Sequence, residues 1–257
     1  MRNYFVVIAV IAAFIWYDIV LSAAARSSAS SRADLLERLQ RRALRLIDLL
    51  FKVYCGFRLS FENVSGAELP PRFLLVANHQ SLLDIPMAMI ALGSRRLRFV
   101  AKKELGTGVP FVSALLRQQG HALVNRKGDA KSSMRSIRRF ALRCAAEGTC
   151  PAIFPEGTRS IELGTFHTAG VRKILETDRL PMAVVVIDGG WRVSKLKDVF
   201  KNLTGAEYRV KLLSVLPPPM GKKATLESLE LAKRLIAADL NAFRRGEGSG
   251  ALEPAGK

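Results

Sequence analysis

From Phe57 onward the chain alternates short apolar runs with stretches of helical periodicity, and this alternation restricts the fold more than any other feature. Runs at Phe73–Ala77, Arg98–Ala101, Ala122–Asn125, Ala152–Phe154, Met182–Ile187 and Glu207–Val215 have the length of strands. Between and after them, Leu82–Leu92, Phe111–Gln118, Ala130–Glu147, Ala169–Glu176 and Leu226–Arg244 read as helices. Strands alternating with helices predict an α/β domain built on a mixed, largely parallel sheet flanked by helices. The 257 residues, 49% of them apolar, suffice for one such domain with a full core. We bound it at 57–245. The Gly-, Ser- and Pro-containing tail, 246–257, has too little apolar content to pack and reads as disordered.

In open α/β sheets the site lies beyond the carboxyl ends of the strands. Here those ends carry polar residues. Phe73–Ala77 runs into Asn78-His79-Gln80-Ser81-Leu82-Leu83-Asp84. Lys102-Lys103-Glu104 follows Ala101, Asn125-Arg126-Lys127-Gly128 follows Val124, and Pro155-Glu156-Gly157-Thr158-Arg159-Ser160 follows Phe154. Taken singly, each has a plain alternative. The His–Asp pair reads as a structural hydrogen bond, the Asn-Arg-Lys-Gly stretch as a solvated turn, and Pro-Glu-Gly as a tight turn. Taken together, four segments deliver charge to one rim of the sheet.

In this order the blocks resemble those of the glycerophospholipid acyltransferases, most closely the 1-acyl-glycerol-3-phosphate acyltransferases. The resemblance covers roughly 73–186. It rests on Asn78 to Asp84, on Lys102 to Leu105 with Gly120 to Arg126, on Phe154 to Ser160, and on Leu180 to Val185. Two departures stand out. Asn125 precedes Arg126 where the family usually has aspartate, and Phe166-His167-Thr168-Ala169-Gly170 replaces the family's Phe-Lys-x-Gly. The resemblance implies transfer of a fatty acyl group from an acyl thioester, acyl-CoA or acyl carrier protein, to the sn-2 hydroxyl of 1-acyl-glycerol-3-phosphate (lysophosphatidate), giving phosphatidate. It implies that Glu156, Gly157 and Arg159, with Arg126 near the phosphate, hold the acceptor. No bound cofactor and no metal are expected. Another lysolipid acceptor, or a basic membrane-binding module without chemistry, remains an alternative reading.

The residue types suit the reaction. An alcohol attacking a thioester carbonyl needs a base, and an imidazole, with a reference pKa of ~6.5, can take the proton as attack proceeds. His79 is that base in our reading, and Asp84 orients it. Ser81 reads as a cap or a surface residue, His121 as structural, and His167 as balanced between headgroup contact and surface. Trp16 and Trp191 read as packing or interface residues.

Forty basic against 22 acidic residues give a net charge of +18. That surface favours polyanions: anionic membrane, nucleic acid or an acidic carrier. No nucleic-acid motif accompanies it, so no nucleic-acid partner is expected. Cys55, Cys144 and Cys150 are an odd count without metal-ligand spacing and read as free thiols. Tyr4–Ala25 is apolar apart from Asp18, and as a helix it spans about 33 Å, close to the ~30 Å hydrocarbon core. Arg2 and Ala23-Ala24-Ala25 also fit a cleavable signal peptide. The cytosolic donors implied above favour a retained membrane anchor at 1–26. Basic residues cluster after the apolar run (Arg26, Arg32, Arg38, Arg41, Arg42, Arg45), which places the catalytic domain on the cytoplasmic side of the cell membrane. In segment 27–56, a polar joint at Ser27–Arg32 precedes an amphipathic basic helix, Leu35–Phe51. Taken alone, that helix either lies in the membrane interface or packs on the domain, and the membrane segment before it favours the interface.

Overall fold

The computed structural model describes residues 1–93, 95–125 and 129–244. Arg126 and the tail 246–257, both of which carry expectations above, lie outside them. Seven strands form one sheet: β1 (Arg58–Asn63), β2 (Leu74–Ala77), β3 (Leu97–Lys102), β4 (Ala122–Val124), β5 (Cys150–Ile153), β6 (Met182–Asp188) and β7 (Glu207–Leu216). Their order is β1-β7-β6-β2-β5-β3-β4. The five strands from β6 to β4 are mutually parallel. β7 runs antiparallel to β6, and β1 pairs parallel with β7. The sheet is thus mixed and largely parallel, as the alternation predicts.

The helices are α1 (Arg2–Ala23), α2 (Ala29–Cys55), α3 (Asp84–Ala91), α4 (Val112–Gln118), α5 (Ala130–Glu147), α6 (Thr168–Thr177), α7 (Leu196–Asn202) and α8 (Gly221–Arg244). Every residue of β2, β5 and β6 is buried, because helices cover both sheet faces. Alternation along β2 divides the core. Leu75 and Ala77 face the layer of α1, α2, α3 and α7, while Leu74 and Val76 face the layer of α5, α6 and α8. α5 matches its predicted span because both ends are marked in the sequence. Asp129 accepts the N–H groups of Lys131 and Ser132, and Gly148 (φ 62°) takes the left-handed conformation that ends the helix. β1 and α7 escape the sequence reading. β1 is an edge strand with almost no buried residue, and α7 is only two turns long.

The joint between α1 and α2 is shorter than expected. A 3₁₀ turn, Ala24–Arg26, redirects the chain and α2 begins at Ala29. α1 is long and apolar enough to cross a membrane, yet it lies along the domain. Val6, Val7 and Leu21 are buried. Near its start, Asn3 Nδ2 donates to the Lys201 carbonyl (3.1 Å) and the Thr204 hydroxyl donates to Asn3 Oδ1 (2.5 Å). Near its end, Asp18 Oδ1 accepts the N–H of Phe111 (3.1 Å). Phe111 is fully buried with φ 61°, and Phe14 and Tyr17 pack on its ring. Asp18, the anomaly in the apolar run, therefore satisfies a backbone donor in a strained turn. Tyr4, Ile8, Ile11, Ile15, Trp16 and Ile19 form an exposed apolar stripe along α1. The apolar side of α2 (Leu36, Leu39, Ala43, Ile47, Phe51) is buried against the protein.

Candidate active site

The site is built where β2 stops. The Asn78 side chain continues the ladder to β6: its Nδ2 donates to the Ile187 carbonyl and its Oδ1 accepts the Ile187 N–H, both at 2.8 Å. The chain then turns, and His79 sits in that turn between β2 and α3. Its carbonyl accepts from Ser160 N–H (2.9 Å), and its N–H donates to Glu156 Oε1 (2.8 Å). The His79 ring stacks on Phe154, with centroids 4.3 Å apart and planes 8° from parallel.

Asp84 begins α3 and points back into the turn. Its Oδ2 lies 2.7 Å from His79 Nδ1 and accepts the N–H groups of Gln80 (2.7 Å) and Ser81 (2.8 Å). Its Oδ1 accepts from the Tyr208 hydroxyl at 2.5 Å. Asp84 is wholly buried, so these donors do the work that water would do outside. The His79 Nδ1–H therefore points at a carboxylate, which leaves Nε2 as the basic nitrogen. Burial, together with the charge of Asp84, holds the Tyr208 phenol well above its ordinary range, so it remains a donor.

Ser81 is not a surface residue. It is fully buried, its hydroxyl donates to the Val193 carbonyl (2.6 Å), and it accepts the Leu83 N–H (3.1 Å). This ties the His79 turn to the segment after β6.

The Pro155–Ser160 block folds against the same turn. Gly157 closes it by donating its N–H to the Phe154 carbonyl (3.1 Å). Glu156, implied to hold the acceptor, engages the protein's own backbone: Oε1 on His79 N–H and Oε2 on Gly164 N–H (2.9 Å). Burial pushes its carboxyl up, and those two N–H groups partly offset the shift. Arg159 is exposed, and its Nη1 donates to the Ser194 carbonyl (2.7 Å), leaving most of its five N–H donors to a ligand. His167 donates its N–H to the Pro155 carbonyl (2.9 Å), and its ring lies over Gly157. His79, Asp84, Glu156, Gly157, Arg159 and His167 thus share one rim. Lys102 is exposed beside Glu104 (3.8 Å). His121 is structural: its Nδ1 accepts the Phe99 N–H (3.0 Å), and burial with Arg98 and Arg143 lowers it to about 3.

Three contributors escape the sequence reading. Phe154, named above only as the start of its block, forms the floor under His79. Tyr208 shows only as a hydroxyl-bearing residue at an inward position of β7 (Tyr208, Val210, Leu212). Gly190 belongs to the Asp188-Gly189-Gly190 turn after β6; a Cβ there would lie 2.5 Å from the Tyr208 hydroxyl and 2.8 Å from Asp84 Oδ1.

A family model described as acyltransferase matches residues 62–187, which hold His79, Asp84, Glu156 and Arg159. Residues 62–187 thus match the acyltransferase family. It is 29% identical over 161 residues to a 1-acyl-sn-glycerol-3-phosphate acyltransferase of Helicobacter pylori, across 61% of this chain and 65% of that protein. A protein of the same description from Cocos nucifera is 29% identical over 141 residues, across 52% of this chain and 44% of its own length. The alignments therefore span less than two thirds of either relative. The crystal structure of the 1-acyl-sn-glycerophosphate acyltransferase of Thermotoga maritima shares the fold, with a TM-score of 0.68, 19% identity and coverage of 95% of this chain and 93% of that one. The match stops at residue 187, so Gly190 and Tyr208 lie beyond it.

Proposed function

We propose that this acyltransferase moves a fatty acyl group from a thioester, borne by coenzyme A or a carrier protein, to the sn-2 hydroxyl of 1-acyl-glycerol-3-phosphate. One observation carries the reading: His79 Nδ1 lies 2.7 Å from the buried carboxylate of Asp84. The acceptor hydroxyl gives its proton to Nε2 of His79 while its oxygen bonds to the thioester carbonyl carbon. Asp84 stabilises the imidazolium that forms. Collapse of the tetrahedral adduct breaks the C–S bond, and the imidazolium returns the proton to the departing thiolate. No enzyme-bound acyl intermediate is required, because the substrate supplies the nucleophile. Arg159 binds the acceptor phosphate, for which a guanidinium fork is suited. The names of the two curated relatives favour lysophosphatidate as that acceptor.

The acceptor is a membrane lipid, and α1 supplies the contact with the bilayer. A helix held to the domain near both ends cannot stand across a bilayer apart from that domain. α1 therefore rests with its outer stripe in the interface, on the cytoplasmic leaflet of the cell membrane. The test is an acceptor panel with labelled acyl-CoA and acyl carrier protein thioester, using the full chain in detergent. The reading expects phosphatidate from lysophosphatidate, and none from the His79→Ala protein. Equal turnover of phosphate-free acceptors would contradict it.

A further inference from the structure

The outer face of α5 carries a charge cluster that the proposed reaction does not use. Ile137, Phe140, Ala141 and Cys144 turn into the core. Arg135, Arg138, Arg139 and Leu142 recur on the opposite side and are exposed. With Ser132 they line a shallow cleft of about 440 Å³. Among the described residues no carboxylate pairs with these three arginines. Their neighbours differ: Arg143 is paired with Glu147 (2.6 Å), and Arg172 and Lys173 of α6 with Glu176 (3.3 and 3.0 Å). Like charges three and four residues apart on a helix cost roughly 0.2–0.5 kcal/mol per pair. The cluster therefore works against the helix, and binding an anionic surface would relieve it.

Position in the fold selects the anionic partner. α1 packs on one face of the sheet and α5 on the other. When the stripe of α1 meets the bilayer, the arginines of α5 point away from it, towards soluble partners. α5 also starts at the productive end of the sheet. It follows β4, which is parallel to β2 and three places from it in the order β2-β5-β3-β4, or about 14 Å at ~4.8 Å per strand. A partner on the cluster thus sits on the flank of the sheet, roughly 8–18 Å along α5 from the end from which His79 projects.

We propose that the outer face of α5 docks the acidic carrier protein that brings the acyl thioester to the site. This deepens the reading under Proposed function and rests on it. Carboxylates of the carrier pair with Arg135, Arg138 and Arg139, and Leu142 gives the cluster an apolar centre. The site end of the sheet then lies within the approach of the carrier's thioester arm.

The experiment compares the full chain in neutral detergent with the triple variant Arg135→Glu/Arg138→Glu/Arg139→Glu, and with a milder Arg→Gln triple variant in case charge reversal impairs folding. Each receives the same acyl chain on carrier protein or on coenzyme A. The expected result is a rise of about ten-fold or more in KM for the carrier-borne donor, a change under about two-fold for the coenzyme A donor, and convergence at high salt. Equal rises for both donors, no rise for either, or a wild-type chain that uses only the coenzyme A donor would overturn the proposal. So would a triple variant that loses affinity for duplex DNA or anionic vesicles while keeping its affinity for the carrier. If wild type turns over neither donor, the enzymatic reading fails instead. Direct binding of the acylated carrier to wild type and variant then decides the docking surface, which stands only if wild type binds and the variant does not.

Discussion

The Tyr208 hydroxyl donates to Oδ1 of Asp84 at 2.5 Å, the carboxylate oxygen that His79 does not use. A strand that enters the sheet 124 residues after Asp84 thereby fixes the orienting group of the proposed base. Gly190 is shaped to the same contact, since a side chain there would meet both atoms. Tyr208→Phe removes one hydrogen bond to a charged group, a contribution of roughly 1.5–3 kcal/mol. We expect kcat to fall about ten- to a hundred-fold with KM for lysophosphatidate little changed. Gly190→Ala should act the same way by pushing the pair apart. A fall confined to thermal stability, with kcat intact, would make Tyr208 a packing residue only.

Glu156 separates two roles cleanly. As a clamp on the N–H groups of His79 and Gly164, it should affect kcat and stability. Glu156→Gln turns an amide NH₂ towards a backbone N–H and strands one buried donor, at a cost of about 1–3 kcal/mol. The expected result is a lower melting temperature and a lower kcat. A rise in acceptor KM alone would return Glu156 to the substrate.

Arg159 is the test of phosphate recognition. Arg159→Ala should lower kcat/KM for lysophosphatidate about ten- to a hundred-fold and leave turnover of monoacylglycerol nearly unchanged. Arg159→Lys keeps the charge but loses the fork, and should fall between. Unchanged discrimination between the two acceptors would free Arg159 from that role. His167→Lys, beside Gly157, tests whether the departure at that position sets the headgroup preference.

The strands and helices with local periodicity are legible in the sequence, and so is the placement of His79 and Asp84 at a strand-to-helix turn. What is not legible is set by distant contacts. Apolar composition is the same for a helix that crosses a membrane and one docked on a domain, and the partners that Asn3 and Asp18 meet lie far away in the sequence. β1 shows no buried face to betray it. The motif that implies an acceptor role for Glu156 does not reveal the two backbone N–H groups that its side chain accepts. Tyr208 and Gly190 reach the site only through the sheet order β7-β6-β2.

His121 gives a pH signature of the fold rather than of the reaction. Its folded pKa, lowered to about 3, lies below the unfolded value of ~6.5. The unfolded chain therefore binds more protons between these values, and stability is lost as pH falls through that window. His121 keeps part of its surface accessible, so the slope should fall short of the full ~1.4 kcal/mol per pH unit. His121→Asn keeps an acceptor for the Phe99 N–H and does not titrate. Denaturant unfolding from pH 7 to 4 should show a shallower loss for this variant than for wild type. Parallel curves would show that His121 does not titrate with unfolding.

In the proposed mechanism His79, held by Asp84, removes the proton from the acceptor hydroxyl. The most direct measurement is single-turnover acyl transfer to lysophosphatidate by folded His79→Ala protein, beside wild type and Asp84→Asn, at equal occupancy of both substrates. General-base catalysis contributes ~10²–10⁴-fold, so His79→Ala should lose at least that range and Asp84→Asn a large part of it, with acceptor affinity retained in both. A folded His79→Ala protein that transfers acyl groups at a rate near wild type would contradict the account.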